Sequence, residues 1–487
     1  MQKINRRNFL QKSLLTTAAV GFSAQSWRSV RGANEDVRAA VIGFNGRGKD
    51  HMSGIAELRE SGKNIRIVAL CDADRNVLDA GVKRLSTDSQ KVEGYLDIRK
   101  LLENKGIDVV TVATPNHWHS LATIWACQAG KDVYCEKPVS HNVWEGRKMV
   151  EAARKYNRIV QTGTQSRSSN GIKQAIAYVK EGHIGKIVLA RGLCYKRRDS
   201  IGKVDAPTPI PDGIDYDLWC GPAPMVPLMR KRLHYDWHWV WATGCGDLGN
   251  QGIHQMDIAR WFLGVDELSP RVFSIGGRFG YVDDGETPNT QIVYHDYAAA
   301  PLIFEVRGLP DKTGSRTMDR FRGMNGASVA VVIDCEGGSV LVPDYTSAII
   351  TDKEGKEIKR FKETTSHYGN FLQAVLSRKS SDLNADVLEG HLSSALCHTG
   401  NVSYRLGHTM AQGEVIEKIK GDRDAVATFE RMKEHLAANG VNIDSAKPAL
   451  GTFLKMDPKT EKFLGNNDAN KMLTREYRKP YVVPVNV

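Results

Sequence analysis

The chain has 487 residues, 41% hydrophobic and 25% charged, an ordinary globular composition with enough apolar material for two or three domains. Its formal charge is +11, but six of those charges (Lys3, Arg6, Arg7, Lys12, Arg28 and Arg31) fall in the first 34 residues, which hold no acid; without them the rest carries +5. Lys196-Arg197-Arg198 is the densest later run, so the charge balance argues against a nucleic-acid partner.

The first segment reads as an address. Asn5-Arg6-Arg7-Asn8-Phe9-Leu10 is a twin-arginine pattern, followed by an apolar stretch from Leu14 to Phe22 that is too short to span a bilayer. Residues 1–33 are therefore expected to be an export signal, placing the mature protein in the periplasm or otherwise outside the cytoplasm, without stable membrane insertion. That route carries proteins already folded, often with a cofactor inside. None of the eight cysteines forms a CxxC pair, and their spread suggests neither a zinc ribbon nor a disulfide framework.

From Val37 the chain alternates strand and helix. Apolar runs at Val37–Ile42, Ile65–Leu70, Ile107–Ala113, Asp132–Tyr134 and Ile159–Thr162 are separated by helical spacings at Asp50–Glu60, 75–85, His117–Ala129 and Val143–Tyr156. This pattern predicts a parallel sheet with helices on both faces over 37–165. Beyond it, Ile187–Cys194, Arg271–Ile275, Gln291–Tyr294, Leu302–Val306 and Ser328–Asp334 are β-like with few helices between them. They predict a largely antiparallel sheet, one face packed and one free, in an α/β domain over 166–410. Residues 196–243 are irregular and rich in aromatics and prolines. Tyr368–Leu376, Leu388–Tyr404 and 424–439 read as helices, and the tail of a 411–487 segment as an extended arm.

The turn Gly43-Phe44-Asn45-Gly46-Arg47-Gly48 lies between the first strand and the first helix. A dinucleotide pyrophosphate needs such a tight turn and free amides at a helix start. The match to G-x-G-x-x-G is imperfect, since Asn45 takes the middle position. Asp72 follows the second strand, where a carboxylate suits both ribose hydroxyls and favours NAD over NADP, although Arg75 leaves room for NADP. Asp72 also resembles a helix cap.

Two further segments end strands that border the crevice of an open parallel sheet: Thr114-Pro115-Asn116-His117-Trp118-His119 and Glu136-Lys137-Pro138. A lysine there can hydrogen-bond an alcohol oxygen and stabilise its charge as hydride departs. Taken with Gly252-Ile253-His254-Gln255-Met256-Asp257, these patterns occur in an order and spacing that resembles the glucose–fructose oxidoreductase / inositol dehydrogenase / rhizopine-catabolism (Gfo/Idh/MocA) family, over about residues 37–405.

The resemblance implies a Rossmann domain with a parallel sheet, then an α/β domain with an open, mostly antiparallel sheet, and a homo-oligomer (dimer or tetramer) built partly through those sheets. It implies that Lys137 contacts the reacting hydroxyl and that His254 shuttles its proton. Asn116 and His119 would surround the nicotinamide ribose, Glu136 would lie beside the cofactor, and Gln165 and Arg167 would sit in a turn near the nicotinamide. One departure stands out: the family pattern usually has an acid four residues before the histidine, where this chain has Asn250. An amide takes up no proton, so Asp247 and Asp257 become candidate substitutes. A metal reading of His234, His238, His254 and Asp257 is not demanded by their spacing.

In His234-Tyr235-Asp236-Trp237-His238-Trp239-Val240-Trp241, the tryptophans offer either aromatic faces to a sugar or one buried face of a strand. Tyr195, ending a predicted strand, is a further candidate for substrate contact, and Lys196 and Arg197 beside it would suit an acidic sugar. The expected activity is NAD-dependent hydride transfer at a hydroxyl-bearing carbon of a sugar, sugar acid or cyclitol. An NAD-dependent glycosidase acting by transient oxidation, and a non-catalytic carbohydrate-binding protein, are the alternatives.

Overall fold

The computed structural model describes residues 36–323 and 327–487; the expected export signal lies outside the described residues. Six parallel strands form the first sheet, in the order β3-β2-β1-β4-β5-β6: β1 Val37–Ile42, β2 Ile65–Cys71, β3 Glu93–Tyr95, β4 Val109–Val112, β5 Asp132–Cys135 and β6 Val160–Thr162. Their central residues are buried on both faces, which is why they read as continuous apolar runs. The order reverses between β1 and β4, so the crevice beyond their carboxyl ends lies at a topological switch point. The short β3 and the helix Ile98–Glu103, capped by Asp97, carry too little periodicity to stand out in the sequence.

The second sheet has twelve strands. Its main path runs β14-β13-β12-β11-β7-β10-β9-β8, with β7 Ile187–Tyr195, β8 Arg271–Gly277, β9 Thr290–His295, β10 Leu302–Arg307, β11 Val329–Cys335, β12 Gly338–Val342, β13 Ser347–Asp352 and β14 Glu357–Lys362. Along this path the pairs are antiparallel except β7 with β10. One face packs on the helices Asn170–Lys180, Gly252–Leu263 and Val387–Arg405.

The other face is not free over β8–β10. Side chains alternate across the pleat: Val272, Val293 and Phe304 point to the first helix layer, whereas Phe273, Ile292, Tyr294 and Ile303 point the opposite way. The helices Gln412–Ile419 and Arg423–Ala438 cover the second set through Val415, Ile419, Phe429, Met432 and Leu436. The tail is also more than an extended arm. Ala449–Leu450 and Leu454–Asp457 pair with β8, and Tyr481, Val483 and Val487 return to the core of the Rossmann domain. The helix His367–Ser377 packs on that domain too, through Tyr368, Phe371 and Leu372. Among the described residues no helix is long and apolar enough to cross a membrane, and all eight cysteines are buried and unpaired.

Candidate active site

A cleft of about 470 Å³ opens at the carboxyl ends of β1, β2, β4 and β5, with the second domain as its far wall. The glycine turn forms its floor. Gly43 has φ +75° and donates to the Cys71 carbonyl; a Cβ there would meet the Thr114 backbone at 2.8 Å. A Cβ on Gly48 would stand 2.1 Å from the Gly43 oxygen, so the helix Gly48–Glu60 can approach the strand this closely only without a side chain. Gly46 faces open space. Asn45, Gly46 and Arg47 offer backbone amides with no acceptor among the described residues. This cradle fits a dinucleotide pyrophosphate.

Asp72 ends β2 and lines the cleft. Its carboxylate accepts from the Phe44 amide (3.0 Å) and the Asp74 amide (3.1 Å). Burial raises its pKa against the pull of those bonds. The helix-capping role belongs to Asp74, which accepts from Asn76 and Val77. Arg75 is exposed and outside the cleft lining.

Thr114, Pro115 and Asn116 lead from β4 into the helix Asn116–Gln128 and line the cleft with His119. The buried His119 ring bridges the Thr114 carbonyl (2.8 Å) and the Pro138 carbonyl (2.6 Å), tying the two strand-end loops together. Burial lowers its pKa, so a neutral ring donates to one carbonyl at a time. The Lys137-Pro138 bond is cis. Glu136 is held by Arg47 Nε at 3.0 Å and His51 Nε2 at 3.1 Å. Burial opposes its ionisation, but the hydrogen bond and charge of His51 and the charge of Arg47 outweigh it and hold the carboxyl well below the usual range.

Lys137 and His254 face the same cleft. The Lys137 ammonium donates to the Asn250 carbonyl at 2.8 Å; burial lowers its pKa, with Glu136 opposing. His254 begins the buried helix Gly252–Leu263, with its ring 5.0 Å from that of Tyr345. Burial and then the Lys137 charge push the imidazole well below 6.5, leaving it neutral and able to accept a proton. Among the described residues, two buried side-chain atoms of cleft-lining residues lack a hydrogen-bond partner, His254 Nδ1 and Thr114 Oγ1. Such atoms are costly unless a bound molecule or water satisfies them.

Asn45, Arg47 and Trp237 also line the cleft, and Asn250 does so beside the Lys137 contact. Six other candidates lie elsewhere. Gly48 sits behind the turn, where it permits the helix approach. Arg167 and Asp257 form a buried pair (3.0 and 2.9 Å), with Ser393 donating to Asp257 at 2.6 Å and Glu389 3.0 Å from Arg167. Asp257 is thus an anchor of its helix, not a proton acceptor at the cleft. Asp247 is likewise consumed by Arg198 at 2.6 and 2.7 Å. Tyr195 points to the opposite face of β7 and donates to Glu305 at 2.7 Å. Trp239 is packed under the Arg198 guanidinium, because residues 236–239 form a 3-10 turn that breaks any strand alternation.

Several lining residues escaped the sequence reading. Gln251 and Tyr345 enclose the far wall, and Leu218 and Trp219 come from the irregular segment. That segment folds back over the end of β2: Arg75 donates to the Gly213 carbonyl, Asp215 to the Ala73 carbonyl, and Asn76 Nδ2 to the Asp212 carbonyl, each at 2.9 Å. It straps the second domain across the Asp72 end of the cleft. Gln251 adjoins the His254 motif and was within reach; nothing local marks Trp219.

Known proteins match this architecture in the same two parts. A family model described as an oxidoreductase-family NAD-binding Rossmann fold (GFO_IDH_MocA) covers residues 37–164, and its companion C-terminal alpha/beta domain covers 178–304. Together they span just over half of the chain. The inositol 2-dehydrogenase of Salmonella paratyphi B is 28% identical over 162 residues, which is 33% of this chain and 46% of that protein. The match thus spans under half the length of that relative. The myo-inositol 2-dehydrogenase of Thermotoga maritima is 23% identical over 327 residues, covering 67% of this chain and 81% of its own. Among solved structures, the WlbA dehydrogenase from Bordetella pertussis, in complex with NADH and UDP-GlcNAcA, superposes with a TM-score of 0.55 at 17% identity, covering 74% of this chain and 94% of its own. With both domain models matched in order and the glycine turn leading into the cleft, the chain belongs to the Gfo/Idh/MocA family of NAD-binding oxidoreductases.

Proposed function

We propose that this protein transfers hydride between a retained NAD and a hydroxyl-bearing carbon of a sugar, sugar acid or cyclitol. The observation that carries the reading is the convergence of Lys137 and His254 on one cleft that also holds the glycine turn and Asp72. Asn45, Gly46 and Arg47 would hold the pyrophosphate by their amides and Asp72 the adenosine ribose. When bound, NAD supplies the hydride acceptor. Lys137 donates a hydrogen bond to the alcohol oxygen and stabilises its developing charge. His254 takes the hydroxyl proton on its neutral imidazole. Asn250 orients without exchanging a proton.

The strap across the Asp72 end supports retention of the nucleotide between turnovers, as does the twin-arginine pattern of a protein exported already folded. A retained cofactor must be regenerated in place, by a second substrate or by return of the hydride. The test is to denature purified protein, identify the released nucleotide, and follow the absorbance of reduced cofactor in native protein mixed with a panel of sugars and cyclitols. We expect NAD in the supernatant and reduction by at least one substrate. Lys137→Met should lower kcat by about 10²- to 10⁴-fold with nucleotide still bound. Absence of nucleotide together with failure to rebind it, or full activity in Lys137→Met, would overturn the assignment. Release of an aglycone without net redox change would point to a glycosidase instead.

A further inference from the structure

The charges at the two ends of the cleft differ. Among the described residues only two carboxylates line it, Asp72 and Glu136. Asp72 sits at the end of β2 holding the turn amide, and Glu136 is committed to Arg47 and His51. The end beyond Lys137 is walled by Trp237, His238, Asn250, Gln251, His254 and Tyr345 and has no acid. Two further acids of the second domain are paired with arginines: Asp247 with Arg198 and Asp257 with Arg167.

Two ammoniums, those of Lys137 and Lys196, stand near this end. Among the described residues neither Lys137 nor Lys196 makes an ion pair. Lys196 follows β7, is exposed and outside the cleft lining, and reaches the wall by donating to Gln251 Oε1 at 3.3 Å. Gln251 Nε2 in turn donates to the Tyr345 hydroxyl at 3.3 Å, and the Tyr345 ring lies against His254. Lys196 is therefore tied through Gln251 to the wall that carries His254, and its charge adds to that of Lys137 in disfavouring an imidazolium there.

From this arrangement we infer that the substrate is an anionic sugar, a uronate or aldonate whose carboxylate is held by Lys196 at the cleft mouth. The inference rests on the redox reading above and narrows its substrate class. A carboxylate would neutralise the excess positive charge beside His254. A neutral polyol would leave Lys196 with its Gln251 contact and no counter-charge. One ammonium with neutral amide and phenol neighbours matches a single charge; a phosphate calls for several donors or a guanidinium fork.

The experiment compares glucuronate, galacturonate and gluconate with glucose, galactose and glucitol, in wild-type protein and in Lys196→Met and Lys196→Arg. Two readouts are used: reduction of the bound cofactor, and binding followed by tryptophan fluorescence, which needs no turnover. The expected result is at least about tenfold higher kcat/KM and tighter binding for the acids, weakening with added salt. Lys196→Met should raise KM for the acids about tenfold, well beyond any change for the neutral sugars, and Lys196→Arg should restore much of the loss. Equal use of acids and neutral sugars, an equal loss for both in Lys196→Met, or no binding of any acid would overturn the inference. Acid-selective binding without cofactor reduction would uphold it and sink the redox reading; reduction by neutral sugars alone would do the reverse.

Discussion

Asp257 shows how far a single residue can be placed from spacing. It follows His254 by three positions, a separation that leaves about 60° between side chains on a helix. That angle is enough to send His254 to the cleft and Asp257 to Arg167. If Asp257 anchors its helix, Asp257→Asn should cost about 3 kcal/mol in urea denaturation, because the buried Arg167 guanidinium loses a partner. The acid limb of the kcat/KM profile should stay where it is, below the ordinary histidine value of 6.5, since burial and Lys137 keep His254 neutral there. Loss of that limb in Asp257→Asn would instead make Asp257 the proton acceptor. Gly43, Asp72, Lys137 and His254 were legible because each need is local: a tight turn, or a polar group at a strand end. Tyr195 was not, since one step of strand register separates it from the helix-facing side of β7.

Elements with strong periodicity were legible in the same way. β1, β2, β5 and the helices Val143–Lys155 and Val387–Arg405 fall within a few residues of their predicted bounds. The strap at 210–219 was not legible, because it is held mainly by backbone hydrogen bonds to residues 73–75, with only the Asn76 side chain added, which leaves little pattern in side-chain type. The return of the tail was hidden for another reason: its few apolar residues acquire a core only through partners far away in sequence. Tyr481 is buried edge-on against Trp118, with ring centroids 5.5 Å apart, and its hydroxyl donates to Asp217 at 2.7 Å. Trp118 lines the cleft, so this contact supports one wall of the site. Tyr481→Ala should destabilise the protein by about 3 kcal/mol and weaken nucleotide retention. Unchanged stability in urea would show that the tail is only loosely docked.

Across the whole molecule, neutral buried histidines make stability sensitive to acid. Burial lowers His117, His238 and His295 to about 3, and His367 and His398 to about 4. Their ordinary value is 6.5, so below it the unfolded chain binds protons that the folded chain refuses. Stability is therefore intact above pH 6.5 and falls as pH drops from 6.5 towards 4. The depressed carboxylates add to the loss only lower still; Glu305, for example, is held at about 2 by Arg191 and Arg431 against burial. Thermal denaturation should show Tm falling by about 5 °C or more between pH 7 and pH 4.5. A flat Tm over that range would mean these rings gain protons without unfolding.

The return of Tyr481, Val483 and Val487 to the first domain also sets an order of events during synthesis. The nucleotide-binding half emerges from the ribosome long before the residues that complete its core, so it waits, unfinished, for the rest of the chain. Completion of the cleft wall at Trp118 is then a late step, taken only once residues 481–487 have docked.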